Sequence, residues 1–224
     1  MVHYGRHNGT LKVKMMSARQ DEKGHRWFAA RYDRLTGSAE RGVFKEIRPR
    51  IMDGLRGRVL EIGVGTGASL PYYPKEAQVV GTEPDPFMLE RARKRLAELA
   101  LPNIELQQMS AEELSFDDAS FDHVVSSLVL CTVRDPSRAL AEARRVLKPE
   151  GTFRFMEHVR NDDSRFWGTL QDVITPAWRW FGAGCNPNRR TQQAIEDAGL
   201  RIDWLEQRRI APGTPAIYGV ARPT

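Results

Sequence analysis

Apolar residues recur in short runs and helical stripes that alternate along most of the chain. From Ser38 to Leu55 the spacing of Val43, Phe44, Ile47 and Ile51 predicts a helix with one buried face, bent or shortened at Pro49. Arg58-Val59-Leu60-Glu61-Ile62 is an apolar run closed by three glycines, as in a buried strand that enters a tight turn. Gln78–Thr82 reads as a second strand. Asp85–Ala100 reads as a helix, with Leu89, Ala92, Leu96 and Leu99 inward and Arg91, Arg93, Lys94 and Arg95 on a solvated face. Asn103–Met109 is strand-like, and Phe121–Leu130 is a continuous apolar run, the pattern of a strand buried on both faces. Asp135 and Pro136 open a helix that carries Ala139, Leu140, Ala143, Val146 and Leu147 on one face, with Lys148-Pro149-Glu150-Gly151 as its stop. Thr152–Val159 is the next strand. Residues 164–181 form an aromatic-rich inserted helix, Arg189–Ala198 a helix closed by Gly199, and 200–208 and 215–222 two final strands.

This alternation predicts an α/β fold with a doubly wound, mostly parallel seven-stranded sheet. In such sheets ligands bind beyond the carboxyl ends of the strands, so the residues after each strand carry the functional question.

Composition narrows the class. The chain has 224 residues, 41% hydrophobic and 28% charged, within the range of one globular domain. No stretch approaches 18 consecutive apolar residues, so no transmembrane helix is expected, and no signal-like apolar segment follows the first residues. Two cysteines, Cys131 and Cys185, cannot build a disulfide framework or a four-cysteine zinc site, so no metal and a cytoplasmic setting are expected. The net charge is +5, but basic residues are spread along the chain and mixed with acids, which argues against nucleic acid as a partner. Residues 1–25 hold Lys12, Lys14, Arg19 and Lys23 without apolar periodicity and read as a mobile basic tail, with the domain in 26–224 and Trp27, Phe28 and Tyr32 as early anchors. Peripheral membrane contact through that tail is the expectation its charge allows.

The first turn, Glu61-Ile62-Gly63-Val64-Gly65-Thr66-Gly67-Ala68, follows the first strand. Its glycines let the backbone turn sharply and a ligand come close. Gly63, Gly65 and Ala68 also satisfy a loose dinucleotide pattern. Glu61 separates the two readings: a carboxylate repels a pyrophosphate but attracts a cationic ligand. Glu83, 22 residues on, ends the second strand, where a carboxylate can accept both hydroxyls of a ribose. Met109-Ser110-Ala111-Glu112 follows the third strand.

Together these stations resemble the class I S-adenosylmethionine-dependent methyltransferases, with their Rossmann-like sheet. The resemblance implies that Glu61, Gly63, Gly65 and Gly67 hold the methionyl end, that Glu83 and Pro84 hold the ribose, and that Met88, with Phe87, packs on adenine. It further implies that Ser110 and Ala111 contact adenine and that Ser127 and Leu128 lie beside the cofactor. The segments S-L-V-L-C-T-V (127–133), F-M-E-H-V (155–159), Q-D-V-I-T-P-A-W (171–178), G-C-N-P-N-R (184–189) and I-Y-G-V-A (217–221) resemble the methyltransferase-like seven family, the alkyl thiol methyltransferases. That implies S-methylation of small lipophilic thiols. The departure is the polar, basic front of this chain, where membrane-associated members of that family carry an apolar anchor. A broader resemblance, to bacterial phospholipid N-methyltransferases and quinone-biosynthesis C-methyltransferases, keeps a phospholipid headgroup or a quinone-like acceptor as the alternative.

Missing motifs sharpen the acceptor class. No proton-accepting polar pair follows the fourth strand, where base N-methylation needs one; Leu128-Val129-Leu130-Cys131 stands there. Cytosine C5 methylation wants a Pro-Cys nucleophile, and Cys131 follows leucine. Metal-dependent catechol methylation wants clustered carboxylates, and Glu157 stands alone. His158 ends the fifth strand and is the candidate catalytic base for a thiol, or else a structural histidine. Cys131, Trp178, Cys185 and Arg189 are candidate pocket residues. Trp167, Trp178, Trp180 and Phe181 read equally as an apolar lid and as a plain core helix. A catalytically silent cofactor-binding scaffold and a nicotinamide oxidoreductase are the readings from other classes; the intact Glu61–Glu83 pattern argues against the first and Glu61 against the second.

Overall fold

The computed structural model describes residues 42–181 and 184–224. The basic tail, Trp27, Phe28 and Tyr32 lie outside the described residues, as do the side chains of Trp180 and Phe181. The elements in chain order are α1 (Val43–Met52), β1 (Gly57–Ile62), a short 3-10 turn (Leu70–Tyr72), β2 (Ala77–Thr82), α2 (Pro86–Leu99), β3 (Ile104–Gln107), β4 (Phe121–Ser127), α3 (Pro136–Val146), β5 (Leu147–His158), α4 (Arg165–Phe181), α5 (Thr191–Asp197), β6 (Leu200–Ala211) and β7 (Thr214–Pro223). The seven strands form one sheet in the order β3-β2-β1-β4-β5-β7-β6. The first five strands pair in parallel, and β7 runs antiparallel to both β5 and β6. The order reverses between β1 and β4, so the turns after those strands diverge and leave a crevice at the carboxyl edge.

Local chemistry sets the helix starts. The Asp85 carboxylate accepts hydrogen bonds from the Phe87 and Met88 N–H groups at 2.8 and 3.2 Å, ahead of Pro86 at the first helical position. Asp135 does the same for Arg138 at 3.1 Å, ahead of Pro136. Such caps satisfy N–H groups that have no partner within the helix, each worth about 1 kcal/mol. Helix α2 closes on Ala100, which takes the left-handed conformation at φ 49°.

The sheet separates two apolar layers. On one side Leu60, Ile62, Phe121, Val124, Phe153 and Phe155 pack against Ala139, Leu140 and Ala143 of α3 and Ile195 of α5. On the other side Val59, Val79, Val125, Met156 and Tyr218 meet Phe44, Ile47 and Ile51 of α1 and Leu89 and Ala92 of α2. Residues of one strand alternate between these layers, as period-two side chains must.

Four local expectations need correction. Helix α1 begins at Val43 and runs through Pro49 to Met52, with residues 38–41 outside the described part. The apolar run from Phe121 is not one strand to Leu130: β4 stops at Ser127 because Leu128 adopts φ 61°, and Val129, Leu130 and Cys131 are buried in a turn instead. Val129 is apolar for a packing reason, since a Cβ on Gly63 would lie 2.6 Å from its Cγ2. Residues 148–151 do not lie beyond a helix stop but extend β5, which starts at Leu147 directly after α3. Leu99, expected inward, is 38% exposed at the end of α2.

Candidate active site

The turn after β1 and the end of β2 are tied together by one carboxylate. Glu83 accepts the Gly65 N–H at 2.9 Å on one oxygen and the Asp85 N–H at 3.0 Å on the other. The N–H that a pyrophosphate would use at this turn is therefore held by an acid, which disfavours a dinucleotide. The three glycines differ in what constrains them. All have positive φ, but a Cβ on Gly63 would strike Val129, and one on Gly67 would strike Leu70 and approach the Ala92 backbone. Gly65, at φ 57°, has only the Met88 methyl, at 3.9 Å, near its Cβ position among the described residues. Gly63 and Gly67 thus serve close packing, and Gly65 is the position at which a ligand can approach the backbone.

Glu61, within β1, is 1% exposed. Burial pushes its carboxyl above the usual range, and the Ser69 and Tyr73 hydroxyls and the Arg48 charge partly offset that. Its Oε2 has no hydrogen-bond partner among the described residues. A buried acid with a vacant acceptor is costly unless a donor or cation arrives. Met88 is buried over the glycine turn, Pro84 is exposed beside it, and the Ser110 hydroxyl accepts the Glu112 N–H at 3.2 Å. Ala111 turns its methyl into the core with Leu114, so only its backbone is left to meet a ligand.

Past β4 the sequence reading missed a buried polar link. Glu157 is fully buried and accepts the Ser126 hydroxyl at 2.6 Å and the Val129 N–H at 3.1 Å. Burial raises its carboxyl to about 6 against these bonds. It holds the turn that carries Ser127 and Leu128, whose N–H donates to the Met156 carbonyl at 2.7 Å. A lone acid at the end of a buried strand was the available signal; its partners lie 28 and 31 residues away.

Three elements meet next to this link. Cys131 from the turn after β4, His158 at the end of β5 and Cys185 from the loop after α4 bring their sulfur and nitrogen atoms within 4.8 Å of one another. The loop is pinned by Asn186, whose N–H and side-chain amide both donate to the Cys131 carbonyl, at 2.7 and 3.1 Å. A hydrogen bond from the Cys131 thiol is the largest influence on Cys185; against burial, and with His158 and Trp178 also stabilising the thiolate, Cys185 falls to about 5. The same hydrogen bond, with burial and the Glu157 charge, pushes the Cys131 thiol well up.

The Arg189 guanidinium donates to the Leu130 and Val133 carbonyls and braces the turn that bears Cys131. The aromatic helix divides its roles by face. Gln171 is buried, donating to the Val159 and Pro187 carbonyls at 3.3 and 3.2 Å, whereas Phe166, Leu170, Val173, Ile174 and Trp178 form an exposed apolar stripe. Helix α4 is therefore neither a plain core helix nor a fully closed lid; Trp178, half exposed, touches Cys185 from its end. A separate cavity of about 620 Å³ lies at the β6–β7 rim between Trp167, Asn161 and Arg208, away from the glycine turn.

This geometry has counterparts. Residues 60–155 match a family profile described as a methyltransferase domain. Thiol S-methyltransferase TMT1A of Homo sapiens is 35% identical over 204 residues, covering 87% of this chain and 82% of that protein. The chain belongs to the class I S-adenosylmethionine-dependent methyltransferases. Among them, phosphatidylethanolamine N-methyltransferase of Cereibacter sphaeroides is 43% identical over 159 residues, covering 70% of this chain and 75% of that protein. The crystal structure of a SAM-dependent methyltransferase from Thermotoga maritima shares the fold, with TM-score 0.66 at 23% identity over 89% of this chain and 99% of that one. Two observations among the described residues fit the cofactor: the buried Oε2 of Glu61, without a hydrogen-bond partner there, suits a cationic methionyl group, and the uncrowded face of Gly65 leaves room for it. No described helix is long and apolar enough to cross a membrane.

Proposed function

We propose that this methyltransferase methylates the sulfur of a small lipophilic thiol and that His158 takes the proton from that thiol. The observation that carries the reading is the Cys131–His158–Cys185 cluster, which sits past the carboxyl ends of β4 and β5 with His158 and Cys185 partly open to solvent. S-adenosylmethionine supplies an electrophilic methyl group on a sulfonium sulfur. Glu61 and the Gly65 backbone would hold its methionyl end, Glu83 its ribose, and Met88 and Ser110 its adenine. The backbone turn at Ser127 and Leu128 would face the reacting end. The transfer disperses charge, so positioning and exclusion of water do most of what the protein must do. The proton is the remaining problem. A free alkyl thiol is largely protonated at neutral pH, near a pKa of about 8.5 for cysteine, and the thiolate is the nucleophile. An imidazole within reach of the acceptor removes that barrier. The identity to human TMT1A supports the thiol class.

A second reading has its own support. The relative from Cereibacter sphaeroides is an N-methyltransferase of phosphatidylethanolamine, and the exposed stripe Phe166, Leu170, Val173, Ile174 and Trp178 would suit an acceptor presented in a lipid surface. The deciding experiment uses methyl-labelled S-adenosylmethionine with a lipophilic alkyl thiol, a quinol-like phenol and phosphatidylethanolamine vesicles as separate acceptors. The thiol is expected to carry label. Label on the lipid amine alone would replace the thiol by the second reading.

A further inference from the structure

The count of two cysteines leaves out the histidine that the fold carries to them. Cys131, His158 and Cys185 offer two sulfurs and one ring nitrogen within 4.8 Å, from three separate elements. Around a tetrahedral zinc, with sulfur at about 2.3 Å and nitrogen at about 2.0 Å, such donors stand roughly 3.5–3.8 Å apart, so the three need close in by no more than about 1 Å. The backbones beneath them are already anchored. Asn186 ties the Cys185 loop to the Cys131 carbonyl, Arg189 braces the Cys131 turn, and His158 is the last residue of a strand paired on both sides. Soft thiolate and imidazole donors select zinc-class cations over magnesium or calcium. Glu157 and Arg189 set opposite charges beside Cys131.

We propose that Cys131, His158 and Cys185 form a three-ligand site for one zinc-class divalent cation, with a fourth position open to a thiol from solution. Cys131 is buried while His158 and Cys185 are partly open, so the cluster has one accessible side. Three protein ligands and one exchangeable position are the arrangement of a reactive zinc site rather than a closed structural one. A thiol entering that position forms a sulfur–metal bond and releases its proton to solvent. In the loaded protein His158 is then a ligand, and coordination does what proton transfer to the imidazole does in the metal-free protein. The cation site stands on the three side chains alone; its use toward a thiol rests on the proposed function above.

The full-length protein, stripped with a chelator and kept reduced with a phosphine, is titrated with Co²⁺. One equivalent is expected to bring up a thiolate-to-cobalt charge-transfer band with the visible bands of four-coordinate cobalt, both removed by Zn²⁺. Cys185→Ser is expected to lose at least half of the charge-transfer intensity, and His158→Ala to weaken cobalt binding at least about tenfold. Addition of a small lipophilic thiol should shift the visible bands. Cys131→Ser repeats the test at the buried ligand; if that variant fails to fold, Cys185→Ser, at a partly exposed position, decides alone. No charge-transfer band in the wild type, or an unchanged band in Cys185→Ser, overturns the site. Unshifted visible bands on thiol addition overturn the open position. Protein that binds no cobalt yet methylates thiols overturns the cation site and leaves the proposed function standing; cobalt bound through these residues without thiol turnover does the reverse.

Discussion

The two halves of the crevice are built by different means. On the β1–β3 side, backbone conformation does the work: Gly65 at φ 57°, the Glu83 carboxylate spanning two N–H groups and the Asp85 cap all lie within 25 residues of chain. On the β5 side, side chains arrive from the turn after β4, the end of β5 and the loop after α4, and no two of the three are neighbours in sequence. A backbone-built site is fixed by the local course of the chain. A site assembled from distant side chains can change its chemistry without disturbing the sheet. In the proposed function the cofactor half accordingly sets the class of reaction, and the acceptor half the substrate.

The comparison breaks most sharply at Gly65. Gly65→Val places a β-branched residue at a left-handed φ and fills the open face of the turn. Affinity for S-adenosylhomocysteine, read by calorimetry, should fall by at least about 100-fold, or ~2.7 kcal/mol. Retained affinity would show that no ligand approaches that backbone. The link between the halves comes next. Glu157→Ala leaves the buried Ser126 hydroxyl and Val129 N–H without their acceptor, at about 1–3 kcal/mol for each group. Thermal unfolding should show a midpoint lower by several degrees, and no change would mean that water replaces the carboxylate at no cost.

What could be read from sequence follows the same division. The sheet, the glycine turn and the Asp135 cap were legible, because each depends on residues within a few positions of one another. The end of β4 was not, since an apolar run looks the same in a strand and in a buried turn; only the φ of Leu128 distinguishes them. The start of β5 was missed because Pro149 and Gly151 read as a stop, although extended backbone at a sheet margin accepts both. The cysteine–histidine cluster was hidden for a topological reason: its members are 27 residues apart at each step, and only the crossover from β5 through α4 brings Cys185 back over the sheet. The bracing role of Arg189 was not legible because the carbonyls it holds, on Leu130 and Val133, carry no signature in sequence.

A smaller effect isolates the acceptor half. Asn186→Ala removes the amide that holds the Gly184–Cys185 loop to the Cys131 and Gly184 carbonyls. Methyl transfer is expected to slow by about tenfold from misplacement of the cluster, with affinity for S-adenosylhomocysteine unchanged. Equal loss of both would show that the two halves are coupled through this loop. The smallest effect lies at the opposite edge of the sheet, away from both halves. Partial burial of Asp122 pushes its carboxyl up, but the Lys148 ammonium at 2.6 Å and the Arg58 N–H at 2.8 Å outweigh it and hold the group below its ordinary value. A carboxyl lowered in the folded state adds stability above its unfolded pKa and loses it as pH falls through the folded value. Asp122→Asn should therefore cost about 0.5–1 kcal/mol at pH 7 and nothing in strong acid. Denaturant unfolding of both proteins across the acid range reads this directly; a cost that persists at low pH would assign the effect to packing.

The central claim is that cofactor binding and acceptor activation reside in separate residues, and His158→Ala tests it most directly. Single-turnover transfer from labelled S-adenosylmethionine to an alkyl thiol is followed from neutral to alkaline pH in chelator-treated wild-type and variant protein, with S-adenosylhomocysteine affinity measured on the same samples. Unchanged affinity is expected, with a deficit of about tenfold to a hundredfold near neutral pH and convergence of the two rates above the acceptor's own pKa, which for an alkyl thiol lies above the cysteine value of about 8.5. A deficit of constant size at every pH, or a parallel loss of cofactor affinity, would contradict it.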